Sequence, residues 1–130
     1  MTHEMIYGIG TDLIDIQRMR DAHARHGDRF LARLLSTREC EQCAGMADLG
    51  PYLAKRWAAK EAFAKALGTG IRPPVTLAGM TVTNDALGKP AFEFDEAIRL
   101  FLVDKSIGRV HLSLSDERAS AVAFVVLECA

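Results

Sequence analysis

The stretch from Gly50 to Leu67, GPYLAKRWAAKEAFAKAL, constrains the fold of this chain more than any other. Proline is tolerated at the first helical position, alanine, leucine and lysine favour helix throughout, and Gly68 is a natural terminator. A helix over residues 50–67 is expected. The segment after it, Gly68-Thr69-Gly70-Ile71-Arg72-Pro73-Pro74, packs two glycines and two prolines into seven residues and reads as a loop.

Other elements carry weaker signals. Met5 to Gly10 is apolar and β-branched with small residues interleaved, which suits a short buried strand ending at the glycines, with Thr11-Asp12 at its mouth. From Ile14 to about Leu35 the apolar residues have helical spacing, and Gly27 divides the segment into two helices. Ser36-Thr37-Arg38-Glu39 fits a capping box that starts another. Met80 to Thr83 and Ala91 to Phe94 read as a hairpin turning between Asn84 and Pro90. Asp95 is a good N-cap for a helix carrying Ala97, Ile98, Phe101 and Leu102 inward and ending before Gly108. Val110 to Ser115 alternates apolar and polar residues, so Val110, Leu112 and Leu114 face a core and His111, Ser113 and Ser115 face away. Ala121 to Leu127 is a nearly continuous apolar run, expected to be covered on both faces or to sit at an oligomer interface. Helices and strands without regular alternation point to an α+β fold, and 130 residues suit a single domain spanning 1–130.

Composition excludes several classes. Hydrophobic residues at 49% and charged residues at 25% describe a soluble globular protein, and no apolar stretch approaches the roughly 20 residues that span a bilayer. No membrane partner is expected. Met1-Thr2-His3-Glu4 lacks the basic flank and apolar core of a secretory signal, which implies a cytoplasmic address. Three cysteines cannot all pair within one chain, and the Cys40-x-x-Cys43 pair has no second pair to complete a zinc site. Residues 17–72 carry eleven Lys/Arg against six Asp/Glu, a local balance of +5, whereas residues 73–130 carry five against eight. That asymmetry suits an anionic partner, although a charge run can equally be a solvated helix face. A nucleic-acid partner is not expected, because exposed aromatics do not interleave with the arginines and the pI is near 6.4.

Along the predicted helix, Trp57, Glu61, Lys65 and Gly68 fall on one stripe. Glu61 and Lys65 could be an i, i+4 surface pair worth only about 0.2–0.5 kcal/mol. Alternatively, the surrounding lysines and the Gly68-Thr69-Gly70 amides hold phosphate oxygens, with Glu61 as ligand to a cation. Magnesium on phosphates uses one or two carboxylates, and Asp12 is the candidate for the second. Asp12 could also cap the following helix. The glycines before it are not a dinucleotide fingerprint, since Leu13 stands where the third glycine belongs. His111, alone on a strand, reads either as a hydrogen-bonded structural residue or as a functional one.

Taken together, Gly8-Ile9-Gly10-Thr11-Asp12, the run from Arg56 to Ile71, Gly88-Lys89-Pro90 and Val110-His111-Leu112-Ser113-Leu114 resemble the small, trimeric bacterial phosphopantetheinyl transferases, the holo-[acyl-carrier-protein] synthase family, across essentially the whole chain. The resemblance implies Mg2+-dependent transfer of 4'-phosphopantetheine from coenzyme A to a serine of an acidic acyl carrier protein, in support of fatty acid biosynthesis. It implies Asp12 and Glu61 as metal ligands, and Glu61 and Lys65 as catalytic residues, Glu61 as base and Lys65 protonating the departing 3',5'-ADP. It further implies coenzyme contacts from Arg56, Lys60, Lys65, Gly68, Gly70, Lys89, Pro90 and His111, and carrier-protein contacts from Arg18 and Arg25. Active sites between the subunits of a homotrimer follow from the same resemblance. One departure is Asp116, where many relatives carry a second histidine. It shifts the expected proton chemistry onto Glu61.

Overall fold

The computed structural model describes residues 5–130, so Met1-Thr2-His3-Glu4, where a secretory signal was sought, lies outside the described residues. In chain order the elements are β1 (Ile6–Asp15), α1 (Ile16–His26), α2 (Asp28–Leu34), α3 (Thr37–Cys43), α4 (Gly50–Leu67), β2 (Met80–Asn84), β3 (Pro90–Phe94), α5 (Glu96–Asp104), β4 (Ile107–Asp116) and β5 (Ser120–Cys129). The architecture is α+β. The three longest strands form an antiparallel sheet in the order β1-β5-β4, and β2-β3 is a separate hairpin.

Helix α4 is the axis of the molecule. Thirteen of its 18 residues are buried, so it is enclosed on nearly every side, with its apolar residues spread around the whole circumference. Pro51 lies in its first turn, and Gly68 ends it in the left-handed conformation at φ 83°, its N–H reaching Ala64 and Lys65 carbonyls. One face of the three-stranded sheet lies on α4. Alternation places Gly8, Gly10, Asp12 and Ile14 on that face of β1, opposite Leu127, Val125, Ala123 and Ala121 of β5.

Gly8 and Gly10 let the helix come this close. A Cβ at Gly10 would lie 2.0 Å from the Ala62 carbonyl oxygen, and one at Gly8 would lie 2.0 Å from that of Ala66. Neither has a positive φ, so space and not backbone conformation requires glycine here. The sequence leads us to expect the strand to end at these glycines, and it does not. β1 continues to Asp15, paired with Ser120, because the β5 ladder carries it past the glycines. Asp15 then caps α1 by accepting from Gln17 N, so the alternative reading of Asp12 as that cap is overturned.

The β2-β3 hairpin packs on α4 through aromatic rings, Phe94 lying 4.9 Å and Phe92 5.4 Å from Phe63 between centroids. In α5, Ile98 and Leu102 are buried as expected, but Ala97 is exposed. β5 is covered on one side only: Ala121, Ala123, Val125 and Leu127 are fully buried, while Val122 and Phe124 face outward. Helix α3 starts with the expected capping box, Ser36 Oγ accepting from Glu39 N and Glu39 Oε1 from Ser36 N. Ser36 Oγ also accepts from the Thr81 hydroxyl at 2.7 Å. Ser36→Ala is expected to lower stability by about 1–2 kcal/mol, measured as the shift in urea midpoint at constant slope.

Candidate active site

Asp12, Glu61 and Lys65 come together where β1 crosses the C-terminal half of α4. The strand turns Asp12 toward the helix, and the side chain is 14% exposed. Lys65 Nζ donates to Asp12 Oδ1 at 2.9 Å and to the Thr11 carbonyl at 3.0 Å. Asp12 Oδ2 is buried and accepts no hydrogen bond. Burial pushes the Glu61 carboxyl above its ordinary range, the Asp12 charge adds to the rise, and Lys65 opposes it. Two carboxylates close enough to repel and one buried acceptor left open form an arrangement short of positive charge.

This donor set fits a hard divalent cation. Magnesium takes oxygen ligands, uses one or two carboxylates, and completes its coordination with water and substrate phosphates. No group of three or more His, Cys, Asp and Glu gathers among the described residues, so the pattern is not that of a protein-enclosed zinc centre.

Glu61 also borders a cavity of about 270 Å³ with Phe30, Arg33, Trp57, Ile71 and Leu77. Trp57 shares this cavity with Glu61, as their common stripe implied. Phe30 and Arg33 of α2 were not among the sequence's candidates; the signal available was the exposed arginine spacing after Gly27. A second cavity of about 350 Å³ lies among His26, Arg29, Phe30 and Arg33, sharing Phe30 and Arg33 with the cavity that Glu61 borders. Arg18 and Arg25, seven residues apart, lie exposed on one face of α1.

The remaining candidates lie elsewhere. Arg56 and Pro90 line a separate polar cavity of about 170 Å³ with Lys55, Asn84 and Asp116. Lys89 is exposed beside Pro90, its backbone N–H held by Asp85. Gly68 and Gly70 follow Lys65, both at positive φ. His111 is on the outward face of the sheet, 2.9 Å from Glu128, away from α4 and the carboxylates. Lys60 corrects the sequence reading. It is fully buried, donating to Glu39 Oε1 at 2.6 Å and to the Leu34 carbonyl at 2.7 Å, and cannot reach a ligand at the surface. Standing one residue before Glu61, it points off that stripe and into the core.

The sequence matches the 4'-phosphopantetheinyl transferase superfamily over residues 8–124. The chain belongs to that superfamily. It is therefore a transferase, an enzyme. The holo-[acyl-carrier-protein] synthase of Dechloromonas aromatica (strain RCB) is 53% identical over 124 residues, covering 95% of this chain and 98% of that protein. The crystal structure of holo-[acyl-carrier-protein] synthase from Neisseria meningitidis superposes with a TM-score of 0.92 at 45% identity, covering 95% of this chain and 99% of that one. A holo-(acyl-carrier-protein) synthase from Bacillus anthracis, crystallised in complex with CoA (3',5'-ADP), gives a TM-score of 0.80 at 37% identity, covering 97% of this chain and 99% of that one. In this phosphopantetheinyl transferase no helix among the described residues is long and apolar enough to cross a membrane.

Proposed function

We propose that the chain, acting as one transferase unit, moves 4'-phosphopantetheine from coenzyme A to a serine of an apo acyl carrier protein. Adenosine 3',5'-bisphosphate is released, and the holo carrier serves fatty acid synthesis in the cytoplasm. The observation that carries this reading is the open, buried Asp12 Oδ2 beside the charge-strained Glu61, under the Lys65 ammonium. Asp12 and Glu61 would hold a Mg2+ ion, which would supply positive charge to offset that of the pyrophosphate.

The serine oxygen forms a bond to the β-phosphorus while the bond from that phosphorus to the bridging oxygen breaks, and the bridging oxygen leaves with the nucleotide. Glu61 takes the serine proton. Lys65 places its ammonium on phosphate oxygens and supplies the proton to the leaving group. With so little covalent work for the protein, positioning and charge stabilisation carry most of the rate.

A homotrimer with sites between subunits is supported by how the candidates divide. Asp12 of β1 faces α4, which carries Glu61 and Lys65, whereas His111 lies on the opposite side of the sheet and Arg56 with Pro90 lines another cavity. That outward face exposes Ile9 at 61%, Leu13 at 69% and Phe124 at 46%, an apolar surface suited to a second copy. Phe124→Asp is expected to yield monomers by sedimentation velocity, with transfer activity lost together with assembly.

The basic residues beside Glu61 and on α1 suit an acidic carrier protein. Charge reversal at Arg18 and Arg25 is expected to raise KM for the carrier roughly tenfold or more while leaving KM for coenzyme A near its original value. Equal effects on both would contradict docking through α1. The decisive assay for the function is incubation with coenzyme A, Mg2+ and apo carrier protein. Mass spectrometry should show the gain of one phosphopantetheine group, and no gain on any apo carrier would reject the proposal.

A further inference from the structure

Arg56 occupies an unusual electrostatic setting. Its side chain is only 10% exposed, and its guanidinium carbon sits 3.9 Å above the centre of the Tyr52 ring. Its Nε is buried and donates no hydrogen bond. The nearest carboxylate is Glu39, with Oε2 3.7 Å from Arg56 Nε, beyond hydrogen-bonding distance. Glu39 is itself fully buried and already accepts from Ser36 N, Lys60 Nζ and Val82 N.

One buried carboxylate therefore faces two buried cations, Lys60 and Arg56, and the cluster carries a surplus positive charge. Such a surplus is costly unless an anion meets it. Arg56 meets the polar cavity bounded by Lys55, Asn84 and Pro90, where Asp116 is 3.9 Å from Lys55 and offsets that lysine. Lys55 and Arg56 against Asp116 leave this cavity with one cation more than anions, and Arg56 shares its only carboxylate partner among the described residues, Glu39, with Lys60. Tyr52 holds Arg56 by its ring face, and Glu39 attracts it without a hydrogen bond to Nε.

We infer that Tyr52 is a positioning residue for anion recognition: its ring seats the Arg56 guanidinium so that the fork faces the cavity and receives a phosphate group of the coenzyme. The Glu39–Lys60 pair fixes the rotation of α4 beneath that seat. The inference rests on the reading of Arg56 as a coenzyme contact.

The test is steady-state transfer with coenzyme A varied at saturating apo carrier, then the reverse. Tyr52→Leu raises KM for coenzyme A roughly five- to tenfold, with kcat and the carrier KM unchanged. Tyr52→Phe keeps the ring but loses the hydroxyl bond to the Glu39 carbonyl, and retains the original KM. A ring-fluorinated phenylalanine placed at Tyr52 keeps the shape but reverses the charge of the ring face, and raises KM as leucine does; it also serves if Tyr52→Leu does not fold. In an Arg56→Ala background neither ring change has a further effect. If Arg56→Ala alone leaves KM for coenzyme A unchanged, the reading of the cavity as a coenzyme site fails and the inference with it. If Arg56→Ala raises KM but the fluorinated ring does not, the seat alone is refuted. An equal KM rise with and without Arg56 would also refute it, since the ring would then act independently of the guanidinium.

Discussion

Glu61→Gln is expected to lower the rate of transfer by on the order of 100-fold or more, because it removes a proposed metal ligand and the proposed base in one step. The side chain keeps its size, and the fold has no need of its charge. Burial and Asp12 raise the Glu61 carboxyl in the folded state, so its stabilising contribution exists below the unfolded pKa and is lost as pH rises through the folded one. At neutral pH the ionised carboxylate is a burden on the fold. Glu61→Gln should therefore melt at the same temperature as the original protein or slightly higher, while transfer collapses. Stability and function would move in opposite directions, as they do where a site holds strain that chemistry needs. Full activity of Glu61→Gln at limiting Mg2+ would show the assignment of metal ligand and base to be wrong.

Gly10→Ala should produce a large loss of stability, since among the described glycines a Cβ at Gly10 meets the most close backbone atoms. The added carbon would sit 2.0 Å from the Ala62 carbonyl oxygen and 2.7 Å from the Ala66 amide nitrogen, both backbone atoms of α4. Neither can rotate away as a side chain would, so strand and helix must separate. Separation breaks the packing of β1 and β5 on the central helix, and a cost above about 4 kcal/mol is expected against a typical total of 5–15 kcal/mol. Urea denaturation followed by circular dichroism measures it. Any fraction that still folds should transfer poorly, because lifting α4 also moves Glu61 and Lys65 away from Asp12. Wild-type stability for Gly10→Ala would mean that the strand and helix do not approach so closely.

The parts of the fold written in local chemistry were legible in the sequence. Pro51 and Gly68 bound α4, Ser36 and Glu39 reciprocally cap α3, Asp95 caps α5 by accepting from Ile98 N, and the hairpin turns between Asn84 and Pro90. Each signal needs only neighbours within a few residues. What could not be read depends on contacts far along the chain. Lys60 looks like another surface lysine until Glu39, 21 residues away, is seen to meet it in the core. Gly8 and Gly10 look like a strand end until α4 lies across them. The apolar run of β5 does not say that its outer face is open in a single copy.

The site was partly legible for the same reason. Trp57, Glu61 and Lys65 announce themselves by helical spacing on one element, and Asp12 needed a partner strand and helix to become more than a possible cap. Arg33 and Phe30 belong to another helix, and their meeting with Glu61 is tertiary. His111 lies on a face whose relation to the carboxylates one chain alone does not supply.

The central claim is that Asp12 and Glu61 together hold the cation that serves the coenzyme pyrophosphate. Mn2+ binding, followed by electron paramagnetic resonance with coenzyme A present and absent, tests it most directly. The original protein should bind one Mn2+ per site, more tightly with coenzyme A, and Asp12→Asn and Glu61→Gln should each weaken binding by roughly tenfold or more while remaining folded. Unchanged Mn2+ affinity in both folded variants would contradict the account.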